Sequence, residues 1–200
     1  NAQLNGPQSV AVDAAGNVYI ADTANNRVRE VATNGVISTV AGNGIAGFSG
    51  DGGPAIGAQV GNPTGLAVDS QGNVYIADGS AHVRKVFVSG FISTVAGGTN
   101  RGYSGDGGSA LNARLNGPSA LAINSAGSLF VADTSNNAVR LLQVSASGIT
   151  VSAVTNGASN LSGPVVPGEI VVIYGSGLGP TPLAQYVPGA NGQVPTNVGG

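Results

Sequence analysis

Two stretches of this 200-residue chain set an aromatic ring just ahead of a carboxylate in a glycine-rich loop: Phe48-Ser-Gly-Asp51-Gly-Gly and Tyr103-Ser-Gly-Asp106-Gly-Gly. A ring that can stack and a carboxylate that can accept hydrogen bonds suit recognition of a sugar, a peptide or a protein partner. Phe48, Asp51, Tyr103 and Asp106 are therefore the candidate ligand-binding residues. A structural reading competes with this one. A feature repeated once per structural unit can serve packing, with the ring plugging the seam between units and the Asp holding a turn. Calcium is a weaker reading, because it takes about six to eight oxygens and each loop offers a single carboxylate. The pattern is not a phosphate loop either, since the lysine of that motif is missing.

The remaining reactive residues argue against catalysis. Every aspartate falls at a position that recurs: Asp13 with Asp69, Asp22 with Asp78 and Asp133, Asp51 with Asp106. General acid and base chemistry needs two groups in one pocket with pKa values pushed apart, and no non-repeated pair is present to supply it. No catalytic residue, metal-ligand set or cofactor is nominated. His82, the single histidine, takes the place of Arg27 in the first unit and Ala138 in the third, which reads as a surface substitution. Arg29, Arg84 and Arg140 recur as well, and are expected to pair with the Asp22-type turn of the same or the next unit.

The elements that must position these residues form a repeat. Pro7, Pro63 and Pro118 lie 56 and 55 residues apart, as do Asp22, Asp78 and Asp133. A fixed period of this length marks a repeat architecture. Within the first unit, short runs of alternating hydrophobicity at 9–12, 18–21, 28–31 and 36–40 are separated by Asp-Ala-Ala-Gly, Thr-Ala-Asn-Asn and Asn-Gly, each a hairpin signal. Four antiparallel strands per unit follow. The first strand is almost wholly apolar and the third carries Arg27, Arg29 and Glu30, so burial is expected to fall from the first strand outward, as in a propeller blade.

The run P-x-x-x-A-V-D-x-x-G-N-V-Y-I-A-D-T-x-N-x-R-V-R from Pro7 to Arg29 resembles the NHL repeat, which builds β-propeller blades. The second copy matches with one residue deleted after Asp78, and the third with Asn124 in place of the turn Asp. The resemblance covers about residues 5–154 and implies an all-β fold of three four-stranded antiparallel blades at 5–60, 61–115 and 116–154, belonging to a larger propeller or one completed by a second copy. Some NHL-like propellers are lyases that hold a metal in the central channel, so the resemblance also keeps open a lyase or lactonase site in blades outside this sequence. Beyond the repeats, 155–167 reads as a linker. The run P-G-E-I-V-x-I-Y-G-S-G-L-G-P from Pro167 to Pro180 resembles the start of the immunoglobulin-like C-terminal module of Acidobacteria-type secreted proteins, which implies a partial β-sandwich at 168–200. A sandwich needs about seven strands, so 185–200 is expected to be poorly ordered.

Composition bounds the function. Charged residues make up 8%, the formal net charge is −2, and cysteine is absent. Nucleic-acid binding by phosphate neutralisation is not expected of such a chain, and neither disulfides nor thiolate metal sites are available to it. No apolar run reaches the length of a membrane-spanning helix. The sequence leads to a non-enzymatic scaffold of an exported bacterial protein, extracellular or in the cell envelope. It would bind a protein, peptide or carbohydrate on the loop face of a propeller, and two copies could pair to close a six-blade ring. The alternatives are a propeller enzyme with its site elsewhere and a structural spacer.

Overall fold

A computed structural model of the chain describes residues 2–98, 100–145 and 148–156. The segment read as an immunoglobulin-like module, most of the linker before it and the expected disorder at 185–200 lie outside the described residues.

Three four-stranded antiparallel sheets follow one another along the chain. The first holds β1 (Ser9–Val12), β2 (Val18–Asp22), β3 (Arg27–Val31) and β4 (Ile37–Ala41). The connection after it carries a two-stranded ribbon, β5 (Phe48–Ser49) with β6 (Gln59–Val60). The second sheet holds β7 (Gly65–Val68), β8 (Val74–Ala77), β9 (Val83–Val86) and β10 (Ile92–Ala96). The third holds β11 (Pro118–Ile123), β12 (Leu129–Asp133), β13 (Ala138–Ser145) and β14 (Gly148–Asn156), the last taking in the first two residues of the expected linker. Each sheet is a propeller blade whose strands pair in chain order.

The turns form as the sequence dictates. Asp13 closes the β1–β2 hairpin by accepting the backbone N–H groups of Ala15 and Asn17 on Oδ1, both at 2.9 Å, and Gly16 takes the left-handed conformation the loop demands, with φ of +91°. Asp69 repeats this in the second blade, and the Asn124 side-chain oxygen does the same work in the third. The β2–β3 connection is a single 3₁₀ turn, Thr23–Asn25, ended by Asn26 at φ of +52°; the turn at Thr134–Asn136 copies it.

Blades stack face to face, and the core lies between them. One apolar cluster joins the first and second blades through Tyr19, Val28, Leu66, Ile76 and Ile92, and another joins the second and third through Tyr75, Val83, Val95, Leu129 and Val131. The innermost strands β1, β7 and β11 run side by side. A Cβ on Gly65 of β7 would come within 2.8 Å of the Ala120 Cα on β11, so glycine permits that approach. Threonine hydroxyls tie successive blades, Thr23 donating to the Pro63 carbonyl at 2.6 Å and Thr64 to the Pro118 carbonyl at 2.9 Å.

The expected fall of burial from the first strand outward is not what the structure shows. Val10 and Val12 on innermost β1 are exposed, whereas all four residues of β8 and most of β9 are buried. Burial follows the neighbours a blade has on its two faces. The second blade is covered on both, so its strands bury both sets of alternating side chains.

Candidate functional site

The third strand of the second and third blades presents the recurring arginine to the connection that precedes that blade. In the second blade the side chain of Arg84, on β9, is wholly buried. Its Nη2 donates to Asp51 Oδ1 at 2.6 Å and to the Ser49 carbonyl at 3.1 Å, and Nη1 donates to the Gln59 carbonyl at 3.2 Å. In the third blade Arg140, on β13, is equally buried. Nη2 donates to the Ser104 carbonyl at 2.9 Å and lies 2.5 Å from Asp106 Oδ1, a charge contact without hydrogen-bond alignment. Nη1 reaches Asp133 Oδ2 of the same blade at 3.3 Å. Each Ser-Gly-Asp-Gly-Gly loop thus inserts its carboxylate against the arginine of the blade that follows it.

The aromatic rings cover the same guanidinium groups. The Arg84 guanidinium carbon lies 4.8 Å from the centre of the Phe48 ring, and that of Arg140 lies 5.0 Å from the centre of the Tyr103 ring. Neither ring is a buried plug: Phe48 is 42% exposed and Tyr103 51%. Burial, with the Asp106 charge next, raises the Tyr103 phenol above its ordinary pKa. The four candidate residues therefore form two clusters, one on each connection, rather than one pocket.

Sequence reasoning gave the arginines partners within the Asp22-type turns. Two of the three have them, Arg140 with Asp133 as above and Arg29 with Asp22 at 3.9 Å. The first, Arg29 on β3, keeps a side chain 16% exposed and also donates from Nε to the Ser38 carbonyl. The stronger partners, Asp51 and Asp106, were missed. A signal for them was present, since both precede an arginine of this class at matching distances.

His82 is not a surface substitution. It is buried, and its ring stacks on Phe48 with centroids 3.8 Å apart and planes 14° from parallel. The residue deleted after Asp78 accounts for this, because it shortens the β8–β9 turn and removes the asparagine that Asn25 and Asn136 supply elsewhere. Those two amides donate to Asp22 and Asp133. Asp78 instead accepts the backbone N–H groups of Ser80 and His82 on Oδ1, with His82 Nδ1 3.6 Å away, and its buried Oδ2 has no hydrogen-bond partner among the described residues. Among the described residues no group of three or more His, Cys, Asp or Glu side chains is placed to hold a metal ion.

A second type of site lies in the clefts between blades. Tyr19 and Tyr75 occupy matching positions on β2 and β8, each donating its hydroxyl to the turn aspartate, Asp13 or Asp69, at 3.3 Å. The residue paired across from each tyrosine differs: Glu30 in the first blade and Lys85 in the second. Lys85 Nζ lies 3.5 Å from Asp69 Oδ2 and 4.9 Å from the centre of the Tyr75 ring. Burial, then the charges of Glu30 and Asp13, push the Tyr19 phenol up to about 12.

Comparison with known proteins agrees with this architecture. The teneurin NHL domain family matches residues 45–102, and the NHL repeat family matches residues 4–30 and 115–140. Teneurin-4 of Mus musculus is 34% identical over 163 residues, which cover 70% of this chain and 6% of that protein. Teneurin-1 of Mus musculus is 35% identical over 97 residues, covering 42% and 4%. The chain thus spans a small fraction of these relatives. Among solved structures, a protein of unknown function from Bacteroides thetaiotaomicron superposes with a TM-score of 0.61 at 25% identity, over 76% of this chain and 37% of that one. An auxiliary nutrient binding protein from the same organism gives 0.56 at 17% identity over 72% and 37%. A putative gluconolactonase gives 0.53 at 15% identity over 74% and 49%. The last two likenesses are of fold alone. The chain carries NHL repeats folded as propeller blades.

Proposed function

We propose that this run of NHL repeats is a non-enzymatic interaction scaffold, binding a protein, peptide or carbohydrate through the surface that carries Phe48 and Tyr103. The observation that supports this reading is the state of the two rings. Each is about half exposed yet held in place by a buried guanidinium beneath it. An aromatic ring fixed before the ligand arrives loses little entropy on binding, and Phe48, stacked on His82, offers the part of its ring that stays exposed. Asp51 and Asp106 have the other role: their charges are engaged by Arg84 and Arg140, so they position the rings rather than meet the ligand.

The test is a screen of the chain against arrays of glycans and peptides, followed by affinity measurement of Phe48→Ala and Tyr103→Ala with the strongest ligand found. Loss of a stacking anchor is expected to weaken binding about tenfold or more, which corresponds to about 1.4 kcal/mol. Affinities unchanged in both variants, with the fold intact, would remove this surface as the binding face.

A further inference from the structure

The cleft between the first and second blades contains an acid at a position where the neighbouring blade supplies its own cation. It measures about 530 Å³, with Tyr19 and Glu30 contributed by the first blade and Ile56, Phe87, Val88 and Phe91 among its apolar walls. These four apolar residues are exposed to solvent, Val88 by 73% and Ile56 by 61%. The Glu30 side chain makes no ion pair or hydrogen bond with any described residue.

The second blade shows what this framework is built to hold. There the same turn aspartate, the same tyrosine and the same cross-strand position enclose the ammonium of Lys85, which is ion-paired with Asp69 and lies over the faces of Tyr75 and Phe87. In the first blade the lysine is replaced by Glu30, while Asp13 and Tyr19 keep their places and their hydrogen bond. The group that would neutralise Asp13 is gone, and a second carboxylate has been added across from the same tyrosine.

We infer that the cleft between the first two blades binds a lysine side chain of an extended partner peptide with apolar neighbours. The ammonium takes the place that Lys85 fills in the second blade, set against Glu30, Asp13 and the Tyr19 ring. The flanking apolar side chains lie on Phe87, Phe91 and Ile56. A primary ammonium is preferred to a neutral amide because the Glu30 carboxylate lines the cleft and Asp13 holds the hydroxyl of the Tyr19 that lines it, and a charge pair in a partly enclosed cleft is stronger than at an open surface. Burial is the largest cause of the raised Tyr19 phenol, and the charges of Glu30 and Asp13 add to it. This site is independent of the rings at Phe48 and Tyr103, and either can fail without the other.

The probe is acetyl-Val-Lys-Val-amide, titrated into the full chain and followed by amide chemical shifts in a ¹H–¹⁵N spectrum. Its Nε-acetylated form is the control. The expected result is a saturable shift of the Tyr19, Glu30 and Phe87 amides with the free lysine peptide, lost on acetylation. Glu30→Lys, which restores the second blade's residue and lets the chain neutralise Asp13 itself, is expected to abolish the shift while keeping a dispersed, folded spectrum. If that variant does not fold, Glu30→Gln is used instead and is expected to weaken binding about tenfold. The proposal is overturned by equal shifts with the acetylated peptide, by full binding in the Glu30 variant, or by the absence of any saturable shift with the free lysine peptide.

Discussion

The first blade and the two that follow are built from nearly the same sequence, yet their central arginines differ in state. Arg84 and Arg140 are completely buried, each against an aspartate and under an aromatic ring supplied by the preceding connection. Arg29 makes a 3.9 Å pair with Asp22 and remains partly open to solvent. The strand around the arginine is alike in all three blades, so the strand does not decide its burial. The connection does, reaching forward to place a carboxylate and a ring over the next blade.

The sharpest way to break this contrast is to truncate the arginine in both settings. Arg140→Ala would leave Asp133 and Asp106 without their cation, and uncompensated buried charge costs about 3–5 kcal/mol. Arg29→Ala is expected to cost about 1 kcal/mol or less, in the range of partly solvated pairs. Urea unfolding of both variants checks this, and similar losses would mean that the loop adds nothing to the arginine's role.

A smaller effect separates the β1–β2 hairpin from its counterpart in the third blade. Hydrogen bonds from the Asn17 side chain hold the Asp13 carboxyl below its ordinary value of 3.8 against the smaller upward push of burial. In Asp69 burial is the largest influence and raises the value, but the Asn73 hydrogen bonds and the Lys85 charge together outweigh it. A depressed folded-state pKa contributes stability that is present above the unfolded value and is lost as pH falls through the folded one. Asn124, which makes the same turn bonds, contributes no such dependence. Asp13→Asn should therefore flatten the fall in unfolding midpoint below about pH 4, and Asn124→Asp should steepen it. Denaturation curves across that range provide the check.

The strand pattern and the turns were legible in the sequence because local chemistry sets them. Asp13 accepts the turn bonds its carboxylate favours, Gly16 and Asn26 take the left-handed conformations open to them, and four strands appear in each repeat where alternating hydrophobicity places them. Burial was less legible, since it depends on which faces meet. Apolar Val10 lies open on an inner strand, while Arg84 is sealed. His82 was misread because the deletion beside it changes the turn, and the turn decides where the ring points. The role of Asp51 escaped because its partner, 33 residues ahead, is fixed by the stacking of blades and not by neighbours in the chain. Two such loops serving the second and third of three recurring arginines were the available clue.

The most direct test of the forward-reaching connection is a double-mutant cycle on Asp106→Ala and Arg140→Ala, with stability measured for the parent, each single variant and the pair. A loop that locks the next blade predicts a coupling of about 2 kcal/mol, in the range found for residues in one ion-pair network. Additive losses, with coupling below about 0.5 kcal/mol, would contradict it and make the aspartate a feature of its own loop alone.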